Sequence, residues 1–112
     1  MPEDWWNVDY DVLLEPPNDY LRVRIRTERG QVVDFVVQYE TTVGGRVYPV
    51  VRYDGSHGRV HRDVLDAHGE TIEGGKQWFP EHLSLADGVE LARSDFLKNW
   101  ARYRDMFLRR MR

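Results

Sequence analysis

The 112-residue sequence contains no cysteine. That absence removes disulfide frameworks, thiolate metal sites and cysteine nucleophiles together, and a chain built this way reads as intracellular. No apolar run approaches the roughly eighteen residues that a membrane-crossing helix needs. The opening residues, Met1-Pro2-Glu3-Asp4-Trp5-Trp6, are acidic where a secretion signal is basic. The expectation is a cytoplasmic protein with no membrane partner. Lysine is scarce as well: of 16 basic residues only Lys76 and Lys98 are lysines, the others being arginines. Arginine suits two-point recognition of phosphate or carboxylate, and a GC-rich coding sequence produces the same skew.

What is present fits one globular domain. Hydrophobic residues make up 41% of the chain and charged ones 31%, a balance that supports a core at this length. Charge is unevenly placed. Residues 1–20 hold six acids and no Lys or Arg, so all 16 basic residues follow them. The last eleven residues include Arg102, Arg104, Arg109, Arg110 and Arg112 against the single acid Asp105. The chain therefore divides into an acidic arm (1–20), a middle, and a basic tail.

The middle reads as strands. Leu21-Arg22-Val23-Arg24-Ile25-Arg26-Thr27 alternates apolar residues with arginines, the period-two pattern of a half-buried strand. Glu28-Arg29-Gly30 makes a turn into a valine-rich run from Gln31 to Tyr39, so a hairpin follows. Gly44-Gly45 leads to a third strand, Arg46 to Tyr53, in which Pro49 calls for an edge position or a bulge. A fourth strand is expected near Arg59 to Asp66. A weaker fifth begins at Glu70, with Gly74-Gly75 as a bulge or turn before Lys76-Gln77-Trp78-Phe79. The arm is either an added edge strand or loosely attached; Trp5, Trp6, Val8, Tyr10, Val12 and Leu13 are too apolar for a free tail.

After Pro80 the period changes. Val89, Ala92, Phe96, Trp100, Tyr103 and Phe107 recur at steps of three and four, which places one amphipathic helix over residues 84–110. Ser84 or Asp87 caps its start, and Asp105 with Arg109 forms an i,i+4 pair. The expected fold is α+β: an antiparallel meander of four to five strands over residues 21–79, packed in two layers against this helix. Leu97, Leu108 and Met111, beside the main stripe, point to a homodimer.

Chemistry-bearing residues concentrate in R-Y-D-G-S-H-G-R-V-H-R-D, from Arg52 to Asp63. The turn brings Tyr53, His57 and His61 toward one place, with Arg52 and Asp63 beside them. His61 and Asp63 share a strand face at a rise of roughly 6.5 Å, and Arg62 points away. Two imidazoles near arginines suit metal-independent RNA cleavage: one removes the 2′-hydroxyl proton, another protonates the leaving oxygen, and arginine stabilises the charged phosphorane. Against this stands a plain turn with half-exposed histidines. A metal is not expected: the H-x3-H spacing of His57 and His61, with Asp54, Asp63 and His68 nearby, spans a turn and not a helix.

The row Arg22, Arg24, Arg26 repels itself unless something negative lies across it; with Arg62 these are the candidate nucleic-acid contacts. Glu3, Asp4, Asp9 and Asp11 are the intramolecular candidates for that negative partner. Tyr48 and Tyr53 are candidates for stacking on unpaired bases. No Walker, dinucleotide, G-x-S-x-G or H-E-x-x-H pattern occurs, and no cofactor is expected.

Val50-Val51-Arg52-Tyr53-Asp54, followed by His57-Gly58 and His61-Arg62-Asp63, resembles the TumE-like toxin group of prokaryotic toxin–antitoxin pairs and related small domains of unknown function. Asn99-Trp100-x-x-Tyr103-Arg104-x-x-Phe107 is similar to a helix end in the related domains. The resemblance covers about residues 20–110, with Arg62 where a second histidine is usual. It implies a toxin acting on RNA or translation, held by a helix-turn-helix antitoxin. The rival expectation is a non-catalytic module that binds a protein partner through its sheet and arm.

Overall fold

A computed structural model describes residues 3–111, except for the side chain of Glu3. Met1, Pro2 and Arg112 lie outside the described residues, as does any pairing of the Glu3 carboxylate with the arginine row.

Six antiparallel strands run in chain order: β1 (Val8–Glu15), β2 (Asp19–Glu28), β3 (Gln31–Val43), β4 (Arg46–Asp54), β5 (His61–Leu65) and β6 (Thr71–Trp78). A 27-residue helix, α1 (Leu85–Met111), covers one face. The expected four to five strands are thus six. The arm supplies the extra one: Val8, Tyr10 and Val12 alternate with Asp9 and Asp11, and this period-two segment pairs with β2 from Val8↔Ile25 to Glu15↔Asp19. Gly74-Gly75 interrupts β6 only as a bulge, so residues 71–78 form one strand.

Turn chemistry sets the register. Arg29-Gly30 and Gly44-Gly45 are two-residue turns with positive φ at both positions (52° and 76°; 59° and 80°), the geometry that lets strands return with their natural twist. Pro49 sits in an interior strand, at a register shift between Tyr39 and Glu40. The shift lets Val50 and Val51, neighbours in sequence, both enter the core.

The core lies between the sheet and α1. Leu21 and Val23 from β2, Phe35, Val37 and Tyr39 from β3, and Val51 and Tyr53 from β4 are all buried there. They meet Val89, Ala92, Phe96 and Phe107 of the helical stripe, with Trp100 and Tyr103 partly buried beside them. Ser84 is the N-cap, its Oγ accepting from the Asp87 N–H at 3.1 Å. Near this end α1 comes closest to the sheet at Gly88. A Cβ there would lie 2.5 Å from Val60 Cγ2 and 3.1 Å from the Phe35 ring.

Leu108 and Met111 do not form an outward patch: both pack against the core, while Leu97 is 57% exposed. Nearly three turns of helix separate Leu97 from the last turn, where Arg110 Nη2 donates to Leu65 O of β5 at 3.1 Å. Among the described residues no helix is long and apolar enough to cross a membrane.

Candidate functional site

With one face under α1, strand alternation sends every second side chain of β1–β6 to the other, helix-free face. The registers align these into cross-strand rows. One row is Asp11, Arg22, Gln38, Arg52, Asp63 and Lys76, a residue from each strand. The next is Asp9, Arg24, Val36, Asp54, His61 and Trp78. Each row begins with an acid of β1 beside an arginine of β2, which answers the repulsion within the arginine row. Asp11 stands opposite Arg22, and Asp9 lies 3.7 Å from Arg24. Arg26 is held by Trp5, donating to its carbonyl at 3.1 Å with the guanidinium carbon 4.9 Å from the ring centre.

Arg22, Arg24, Val36, Gln38, Arg52 and Asp54 line a depression of about 360 Å³ on this face. Arg52 Nε donates to Gln38 Oε1 at 2.7 Å, which fixes its guanidinium over β3. Arg22 Nε is buried without a hydrogen-bond partner, and Arg24 Nε faces only the Asp9 carboxylate at 3.7 Å. Buried donors are almost always satisfied in folded proteins, so the Arg22 Nε–H beside this depression is open to an acceptor.

Asp54 joins this depression to a second cluster. His61 Nε2 lies 3.2 Å from Asp54 Oδ1 and 3.1 Å from Asp63 Oδ2, and both the imidazole and the Asp63 side chain are largely buried. Trp78 covers the imidazole with ring centres 4.7 Å apart. Each carboxylate has a further partner, for Asp54 at the same oxygen that faces His61 and for Asp63 at the other one. Asp54 Oδ1 accepts the Ser56 N–H at 2.9 Å; Asp63 Oδ1 accepts from Thr71 Oγ1 at 3.1 Å and faces Lys76 Nζ at 3.0 Å. The β6 bulge makes this possible, because five residues of β6 cover the distance that two residues of β5 span, which carries Thr71 and Lys76 to one carboxylate.

The residues singled out in the sequence therefore divide. Arg52, His61 and Asp63 share the helix-free face with Arg22 and Arg24, and Arg26 stands at its margin. Tyr53 and Arg62 lie on the opposite face, under α1. Tyr53 Oη donates to Asp95 Oδ2 at 2.7 Å, Tyr103 Oη donates to the same oxygen at 2.6 Å, and Arg62 Nη1 donates to Tyr103 Oη at 3.0 Å. Burial first, and then the bond to Asp95, push the Tyr103 hydroxyl up to about 12 and raise that of Tyr53 further. Tyr53 is 2% exposed and closed to a stacking base, and Tyr48 packs on Phe107 with ring centres 5.7 Å apart. His57 is exposed in a short turn (Ser56–Gly58) at a φ of 63°. Gln38, Lys76 and Trp78 were not candidates from sequence for this site, and Asp54 stood there only beside the histidines as a neighbour in the metal spacing. Only the strand registers bring them to it.

The class is an α+β protein of one six-stranded meander and one helix, with a polar, helix-free sheet face. Residues 3–112 match the family described as a domain of unknown function, DUF7718, and the chain belongs to that family. No curated protein and no solved structure matches it. The family assignment supplies no tie to the toxin group that the two short motifs resemble.

Proposed function

We propose that the helix-free face binds a small phosphate-bearing ligand, of about the size of a mononucleotide, with the phosphate held by Arg22, Arg24 and Arg52. The observation that carries this reading is the convergence of three arginines on one depression, with the buried Arg22 Nε–H left without a partner. A phosphate offers several acceptor oxygens to such donors, and hydrogen bonds to an ionised acceptor are about twice as strong as neutral ones. The acids on the same face, Asp9, Asp11, Asp54 and Asp63, disfavour a long polyanion tracking across it. A single phosphate in the depression avoids most of them.

The RNA-cleaving reading asks two histidines to flank one phosphodiester. His61 turns its Nε2 to Asp54 and Asp63, and His57 stands on the exposed turn. The geometry favours the binding half of that reading over the histidine-pair chemistry.

The test is titration of the wild-type protein with inorganic phosphate, a nucleoside monophosphate and a short single-stranded RNA, in EDTA, following arginine Nε–H resonances by NMR. Saturable shifts at Arg22, Arg24 and Arg52 are expected, with the mononucleotide bound about as well as the RNA. Arg52→Gln should weaken binding about tenfold. No saturable shift at millimolar ligand, or shifts confined to the arginines of α1, would sink the reading.

A further inference from the structure

We infer that Asp54, His61 and Asp63 form a binding site for one divalent transition-metal ion. The three ligand atoms belong to two adjacent strands, β4 and β5, and all lie within 4.8 Å of one another. Two donors each about 2.1 Å from a common ion stand about 3.0–3.4 Å apart at octahedral to tetrahedral angles. The separations of His61 Nε2 from Asp54 Oδ1 and Asp63 Oδ2, 3.2 and 3.1 Å, fall in that interval.

The protonation arithmetic points the same way. One imidazole nitrogen faces two carboxylate oxygens, so a single N–H is shared between two acceptors in a largely buried setting. A cation at their centre engages all three lone pairs. The imidazole has no other polar role: it is 5% exposed, and its Nδ1 is buried without a partner.

The surroundings are those of an oriented ligand set. Thr71 and Lys76 hold Asp63 by Oδ1, which leaves Oδ2 toward the imidazole. The Ser56 N–H fixes Asp54. Such outer partners tune affinity and geometry in metal sites. One imidazole and two carboxylates suit Mn2+, Fe2+ or Zn2+ better than Ca2+, which takes oxygen donors alone. Three protein ligands leave coordination positions for water or a ligand atom. Asp54 also borders the arginine depression, so a bound ion and a bound phosphate would be neighbours.

The experiment is calorimetric titration of the full chain with Mn2+ in phosphate-free buffer, repeated with Asp54→Asn and Asp63→Asn. One Mn2+ per chain is expected, weakened about tenfold or more in each variant, with melting temperatures in EDTA showing that the variants fold. A second measurement uses the wild type alone: paramagnetic broadening by substoichiometric Mn2+ should strike the imidazole signals of His61 before those of His57, His68 and His82. Absence of binding, binding unchanged in both variants, or broadening that strikes another histidine first would overturn the site. Because the metal titration contains no phosphate and the phosphate titration contains EDTA, failure of one reading leaves the other standing.

Discussion

The two faces of the sheet treat buried carboxylates in opposite ways. Under α1, Asp19 accepts from Tyr39 Oη at 2.6 Å and Thr41 Oγ1 at 2.7 Å, with Arg104 Nε 3.6 Å away. Asp95 accepts from Tyr53, Tyr103 and Asn99. Each of these acids meets several donors, most of them neutral. On the helix-free face Asp54 and Asp63 converge on one imidazole nitrogen, and the Arg22 Nε–H nearby has no partner. Under the helix each carboxylate gathers hydroxyl donors of its own, whereas in the open two carboxylates share one imidazole nitrogen. A network balanced by its own fold is structural; a mismatch on an accessible face is where binding is to be sought.

The contrast is best broken by removing one residue at a time. The largest effect belongs to Phe96, fully buried and set against Tyr39, Tyr53 and Tyr103. Phe96→Ala should cost about 3–5 kcal/mol, read by denaturant unfolding. Asp95→Ala strands the Tyr53 and Tyr103 hydroxyls and should cost about 2–3 kcal/mol. Restoring apolar rings in the triple variant with Tyr53→Phe and Tyr103→Phe should recover part of that loss. Additive losses would show that the network is not coupled. Gly88→Ala improves helix propensity by about 1 kcal/mol, yet its Cβ would press on Val60 and Phe35, so a net loss of about 1–2 kcal/mol is expected. At the small end, Arg22→Gln and Arg52→Gln should change stability by less than about 0.5 kcal/mol while weakening phosphate binding. A large stability loss in either would make the open face structural after all.

Alkaline pH probes the covered face separately. Burial, reinforced by neighbouring carboxylates, raises the hydroxyl of Tyr103 from 10.0 to about 12, and Tyr39 and Tyr53 move in the same direction. With the folded value above the unfolded one, the neutral phenol is favoured by folding. That stability is complete below pH 10 and is lost as pH rises from 10 toward 12. Absorbance at the phenolate band should therefore show these tyrosines ionising late and together with unfolding. Ionisation near pH 10 without unfolding would contradict the network.

Much of this fold is legible in the residues. Alternation marks β2, the three-and-four spacing marks α1, and the positive-φ turns mark two hairpins. The arm's period-two pattern is just as regular, but its acids and Pro16-Pro17 obscure a strand that only gains its place by pairing with β2. Site residues are harder. Alternation alone separates Tyr53 from Arg52, since neighbours on a strand face opposite ways, so their grouping in one site overlooked a signal that was present. The meeting of Asp63 with Thr71 and Lys76 has no such signal: it depends on the β6 bulge, and a shift of one residue would send every side chain of that strand to the other face. Distances of this kind are set by turn and bulge geometry across several strands, and composition does not encode them.

The strand order carries a further consequence for how the chain is made. Each strand pairs with the one synthesised just before it, so the sheet can assemble in sequence from the ribosome with short loop closures. The helix is translated after all six strands. Until it arrives, Leu21, Val23, Phe35, Val37 and Val51 have nothing over them, and a nascent chain stopped before residue 85 presents a bare apolar sheet face to chaperones or to other copies of itself. The same late element that completes the core thus sets the interval during which this protein is most exposed to aggregation.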